Sequence, residues 1–260
     1  MIGRLEAVVA RLEAAGCVAA DEEAADYVAL APDDATLEAW LRRREAGEPS
    51  AWITGTLSFC GRPLHVDRGV FVPRDQTEEL ARRAAALLPE GGRGLDLCTG
   101  TGAVAAHLRA VRPGATVIGT DVDPRAAANA GRNGVPAVVT DLDAALAPPI
   151  TFDVITAVAP YVPRDDLHLL PADVQRHEPR VALDGGADGL DVVRRVVAVA
   201  RRRLRPGGWL LVEIGGAQDD ALAPDLGRAG FTDFTTWRDE DGDLRGLAAR
   251  RSRFRVAPVS

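Results

Sequence analysis

Lysine is absent from this 260-residue chain, so all 31 basic side chains are arginine. Codon usage in a GC-rich gene accounts for that bias, and it removes the lysine ε-amine from every catalytic role. Cysteine is scarce: Cys17, Cys60 and Cys98 are odd in number and form no CxxC pair. A disulfide framework is therefore excluded, and a reducing compartment is expected. No apolar run approaches the roughly 18 residues of a membrane span, and no basic-then-apolar leader is present. The expectation is a cytoplasmic protein with no membrane partner. Positive charge is in deficit, with 38 acidic against 31 basic residues and a net charge of −7. That balance argues against a nucleic-acid partner, because phosphate binding needs clustered positive charge. The four histidines, His65, His107, His168 and His177, have neither ligand spacing nor a cysteine partner, so no metal is expected.

The patterning is that of one large domain, or one domain with a small appendage. Helices are predicted over 2–16 and roughly 20–46, with Leu5, Val8, Val9, Leu12 and Ala15 on one face and Leu30, Leu37, Trp40 and Leu41 continuing the stripe. Pro32-Asp33-Asp34 supplies a break and an N-cap between them. The period then changes. A strand is predicted from Trp52 to Phe59 and a second over 64–66, forming a hairpin around Gly61-Arg62-Pro63. From about Asp75 helices and strands alternate. Helices are predicted at 76–88, 102–111, 124–132, 188–204 and 217–228. Strands are predicted at 94–97, 116–120, 136–140, 152–158, 209–214, 231–237 and 246–255, with a long loop before the helix at 188. Such alternation implies a mostly parallel sheet covered on both faces, with ligands at the carboxyl ends of its strands.

Chemistry-bearing residues gather at those ends. The first parallel strand runs into Cys98-Thr99-Gly100-Thr101-Gly102, where small residues and a helix N-terminus let a ligand approach the backbone. Asp121 ends the next strand, placed to accept both hydroxyls of a ribose, a spacing shared by NAD and S-adenosylmethionine (SAM) sites. Asp141 ends the third, where a side chain can touch an adenine ring. Each aspartate alone reads as a helix cap. Asp96, Asp121 and Asp141, at three successive strand ends, read together as a nucleoside site.

From about Arg42 to the last strands the chain resembles the HemK/PrmC family of class I SAM-dependent methyltransferases, which methylate glutamine side-chain amides in release factors. The resemblance is carried by Arg43–Pro49, Trp52-Ile-Thr-Gly55, Gly69-Val-Phe-Val-Pro-Arg74 with Thr77-Glu78, the run from His177 to Leu190, and Arg205–Gly215 with Gln218. It implies an α/β fold: a Rossmann-like, mostly parallel seven-stranded sheet with a short N-terminal helical region and a β-hairpin linker. The implied organisation is a helical region over 1–46, a linker over 47–74 and a catalytic domain over 75–260. SAM is the implied cofactor, consumed or vestigial, with Asp96, Cys98, Thr99, Gly100, Gly102, Asp121, Val122, Asp141 and Leu142 as its candidate contacts. Cys98 stands where a small residue is usual and reads as inert packing.

The departures shape the functional expectation. Where the family carries Asn-Pro-Pro-Tyr, this chain has Val158-Ala159-Pro160-Tyr161, and Asp75-Gln76 replaces Pro-Glu. The asparagine oxygen and a following backbone carbonyl accept the two N–H bonds of a substrate amide. Valine leaves only the carbonyl of Ala159, and an unpaired buried amide N–H costs about 1–3 kcal/mol. The expectation is therefore an enzyme re-tasked to a small molecule, in a natural-product setting, that methylates an acceptor other than glutamine. Tyr161 and Pro160 wall its acceptor pocket, and a small protein partner is allowed for. One alternative is SAM-independent ring closure by intramolecular displacement, with Asp75, His177 or Glu178 as base and Arg74 or Arg180 serving the leaving group. Two others are release-factor glutamine methylation and a non-catalytic SAM-binding subunit.

Overall fold

The structure is a computed structural model that describes residues 2–253. Three helices open it: α1 (Ile2–Ala14), α2 (Ala20–Leu30) and α3 (Asp34–Glu45). Asp33 caps α3, its side chain accepting the Thr36 N–H at 2.7 Å. Val8, Leu12, Ala24, Leu37 and Leu41 bury together around Tyr27, whose ring meets Trp40 edge-on at 5.7 Å. Leu5 and Leu30, expected on the apolar stripe, remain exposed.

The predicted strand at 52–59 begins later. Ser50–Thr54 forms a helical turn, α4, closed by Gly55 in the left-handed region at φ 76°. The β-branched Ile53 and Thr54 read as strand, but Pro49 starts a helix and Gly55 ends it one turn later. The hairpin is β1 (Thr56–Phe59) with β2 (Arg62–His65), and its two-residue turn places Cys60 at φ 49° and Gly61 at φ 70°. Two positive φ values in succession match the right-handed twist of the strands. Asn129 and Asn133 hold the hairpin to the main body through His65: both donate to its carbonyl, and Asn133 accepts its N–H.

The remaining elements are α5 (Gln76–Leu87), β3 (Arg93–Leu97), α6 (Ala103–Val111), β4 (Thr116–Asp121), α7 (Pro124–Arg132), β5 (Ala137–Val139), β6 (Phe152–Ala157), α8 (Ala172–His177), α9 (Asp191–Arg203), β7 (Leu204–Glu213), α10 (Gln218–Ala229), β8 (Phe231–Arg238) and β9 (Leu244–Arg251). The seven-stranded sheet has the order β5-β4-β3-β6-β7-β9-β8, parallel except at β9. Chain order reverses between β3 and β6, which opens a crevice at the carboxyl ends of those two strands. Alternation splits the apolar residues between two cores. Leu95, Leu97, Ile155, Leu210 and Val212 pack on one face beneath α9 and α10; Val117, Val154 and Leu211 pack on the other beneath α5 and α6, joined by Phe59 and Leu64 of the hairpin.

Several boundaries differ from expectation. Helix α9 starts at Asp191, because the glycine-rich stretch 185–189 is loop. Strand β7 begins at Leu204, pairing with Phe152 before an irregularity in the ladder. The long loop contains α8 and two 3-10 turns, Arg164–Leu169 and Arg180–Ala182. Residues 254 and 255 of the last predicted strand lie outside the described residues. The arginine cluster at 201–205 does more than complement a helix dipole. Arg202 and Arg203 both grip Asp143, which is buried in the β5–β6 connection; burial works against its charge, but the two guanidiniums hold its carboxyl below the ordinary range. Asp143→Asn is expected to lower stability by about 2–3 kcal/mol, read as a lower urea midpoint with an unchanged slope.

Candidate active site

The crevice holds a cavity of ≈ 300 Å³. Its floor is the loop from β3 to α6. Cys98, Gly100 and Gly102 all have positive φ (54°, 55° and 80°), and the loop is held by its own N–H groups: Thr99 donates to the Thr120 carbonyl, Gly100 to Asp121 and Gly102 to the Thr99 carbonyl. The two glycines differ in role. A Cβ on Gly100 would meet nothing within 4 Å, so this position faces open cavity. A Cβ on Gly102 would press on Ala130 at 3.0 Å and Val135 at 3.1 Å, so this glycine serves the packing of α6 on α7 and does not line the cavity.

Asp96 sits beneath the loop, 2% exposed. The strand register sets it beside Thr156 on β6 and Gly119 on β4. Thr156 donates to it at 2.7 Å and Thr99 at 2.6 Å, and the bare Gly119 leaves the room into which Thr99 folds back. Burial pushes the Asp96 carboxyl up to about 6, against the pull of the two hydroxyls. Asp121 ties the loop to β4, its oxygens taking the N–H of Gly100 at 2.8 Å and of Asp123 at 2.9 Å. Burial raises its carboxyl too, with these N–H groups opposing.

Asp141 lies at the cavity edge in a 2.6 Å pair with Arg195, and the next residue, Leu142, is buried at φ 50°. Val122 is 57% exposed, an apolar side chain left uncovered beside the aspartates. Burial and then Asp121 drive the Cys98 thiol far above its ordinary range, so it stays neutral.

The rest of the lining comes from the stretch after β6 and from two loops. Val158 and Pro160 line the cavity, together with Phe71, Pro73 and Val181. Tyr161 does not line it. Its phenol donates to Glu213 at 2.7 Å and accepts from Gln76 at 2.9 Å, and its backbone carbonyl accepts from Gln218 at 2.8 Å. Glu213, 2% exposed, also takes Gln76 at 2.8 Å and Thr77 at 2.7 Å. Burial and the Glu213 charge push the phenol upward, so it stays protonated.

The remaining sequence candidates lie apart from the cavity lining. Asp75 is exposed at the start of α5. His177 packs edge-on against Trp52 with Nε2 buried and unpartnered. Arg74 and Glu178 pair with each other at 2.6 Å, and Arg180 pairs with Asp184. Sequence reasoning missed Thr156 and Glu213. Their signals were a hydroxyl two residues before Val158 and a carboxylate closing the apolar strand Trp209–Ile214. Among the described residues no cluster of three His, Cys, Asp or Glu could hold a metal ion, and no helix is long and apolar enough to cross a membrane.

Residues 71–244 match a family model described as a methyltransferase domain. A release factor glutamine methyltransferase from Geobacter sulfurreducens is 39% identical, covering 81% of this chain and 76% of that protein. One from Cereibacter sphaeroides is 38% identical, covering 95% of this chain and 96% of that protein. The chain belongs to the release factor glutamine methyltransferase family. A solved T. thermophilus 16S rRNA N2 G1207 methyltransferase, in complex with AdoMet and guanosine, is 26% identical with a TM-score of 0.53, covering 75% of this chain and 49% of that one.

This member of the family is a SAM-dependent methyltransferase, and SAM is its cofactor. The expectation of a small-molecule, natural-product acceptor is corrected by these relatives, which match most of the chain and are named for a protein substrate. The SAM-independent and non-catalytic alternatives go with it.

The cavity suits SAM by its donor set. Asp121 keeps lone pairs free beside its two N–H partners, Val122 and Leu142 offer apolar surface for a flat ring, and Asp96 carries no arginine that would cancel its charge. Bound SAM supplies an electrophilic methyl on a sulfonium. An ionised Asp96 attracts that cation. Because its folded pKa is raised, the group favours folding below about pH 4, and that contribution is lost as pH rises through about 6. Cation binding has the opposite preference. Calorimetric SAM affinity is expected to fall as pH drops below about 6, by up to tenfold per unit, and the dependence should flatten in Asp96→Asn.

Proposed function

We propose that this enzyme transfers the methyl group of SAM to the side-chain amide nitrogen of a glutamine in a release factor. The name of relatives that match most of the chain supports the substrate. The observation that carries the chemistry is the turn from Val158 to Tyr161. Outside the strand ladders no hydrogen bond reaches the carbonyl oxygen of Val158 or Ala159 among the described residues. An amide nitrogen is a poor nucleophile whose two N–H bonds need acceptors, and the main chain at Val158, which lines the cavity, keeps a carbonyl that the valine substitution leaves in place. Gln218, Glu213 and Gln76 hold the Tyr161 end of the turn, so little reorganisation is required when the amide docks.

We assign residues 1–46 as a helical region that grips the release factor, 47–74 as the linker and 75–260 as the catalytic domain, with the reaction in the cytoplasm. The apolar cluster around Leu12 and Tyr27 supports a distinct helical region, and it also takes in Ile53 of the linker.

Labelled SAM and a purified bacterial release factor test the reading. One methyl group on a release-factor glutamine, located by peptide mass spectrometry, is the expected product. Val158→Asn restores a side-chain acceptor worth about 1–3 kcal/mol and should raise kcat/KM by roughly 10- to 100-fold. No transfer by either protein, while both bind SAM, rules the reading out.

A further inference from the structure

Two segments that no sheet ladder joins both contribute to the wall of the SAM cavity. One is the stretch before α5, where Phe71 and Pro73 line the cavity; the other follows α8, where Pro179 and Val181 line it. An ion pair crosses between them, Arg74 Nη2 to Glu178 Oε1 at 2.6 Å, joining residues 104 positions apart. Each partner is built into its own wall. The Arg74 guanidinium stands over the Phe71 ring, 4.8 Å from its centroid. The Glu178 N–H bonds the Val174 carbonyl at the end of α8, and the chain turns directly into Pro179.

The neighbouring residue repeats the connection by other means. His177 meets Trp52 edge-on, and the Trp52 indole N–H holds the Val70 carbonyl at 2.9 Å, one residue before Phe71. Consecutive residues 177 and 178 thus fasten the same stretch, one by ring contact and one by charge. The Glu178 side chain is 1% exposed, so water cannot replace Arg74 without the walls parting. Neither member of the pair lines the cavity, which removes them from contact with the reacting atoms.

We infer that Arg74 and Glu178 are positioning residues that clasp the two walls of the cavity and set how long SAM stays bound. The clasp acts on SAM itself, so it stands whatever group accepts the methyl. SAM release from the full-length enzyme, followed by stopped-flow displacement, tests it. Glu178→Gln and Arg74→Gln should each speed release about tenfold and weaken the dissociation constant to match, with association within about twofold of wild type. The double variant should release SAM no faster than either single one, because both remove the same link. A purely structural role would lower the melting temperature of the SAM-free enzyme and leave release from the folded fraction unchanged. Release within about twofold of wild type in a folded single variant, or effects that multiply in the double variant, overturns the inference. Should the glutamine variants fail to fold, Arg74→Lys keeps the charge but loses the planar fork. It should release SAM about threefold faster, and an unchanged rate counts equally against the clasp.

Discussion

The Asp96 carboxylate spans the point where the sheet reverses. Its strand, β3, carries the glycine loop at one part of the cavity lining, while β6 leads into Val158 at another. The bond from Thr156 joins the two strands at their carboxyl ends, and the bond from Thr99 brings the loop down onto the same group. Both halves of the site are therefore referenced to one buried anion. The cost of burying it is visible in its raised pKa, and the return is a negative charge held where a cationic cofactor docks.

Buried carboxylates in this chain are treated in two ways. Asp143, Glu48 and Glu178 are matched by arginine, and each pins one stretch of chain to another. Asp96 and Glu213 receive hydroxyl and amide donors instead. Guanidinium would satisfy them more strongly, but it would also cancel their field. Neutral donors fix geometry and leave the charge in place. The two exceptions stand at the carboxyl ends of β3 and β7, on the side of the sheet where methyl transfer takes place, so this division follows the division between scaffold and site.

Much of this was legible in the residues themselves. The alternation of strands and helices, the glycine loop and Asp121 depend on local pattern, and local pattern is what a sequence displays. What was not legible depended on partners far along the chain. Arg74 and Glu178 carry the right chemistry for an active site, and only the fold reveals that they bind each other. Gly102 looked like a cofactor contact because motif spacing does not distinguish a glycine facing a ligand from one facing Ala130. The short helix at Ser50–Thr54 was hidden by β-branched residues, whose preference for strands yields when a proline and a left-handed glycine bound a single turn. Val158 misled for a different reason: a side chain is read from its letter, while the main-chain oxygens beside it are not.

The chain has two tyrosines, and they are divided between its parts. Tyr27 is enclosed by the N-terminal helices, and Tyr161 is bonded to Glu213 beside the acceptor turn. With no third ring to overlap them, fluorotyrosine labelling yields one resonance for the helical region and one for the site. Loosening of either could then be followed separately in a single spectrum, a built-in pair of reporters that needs no engineered probe.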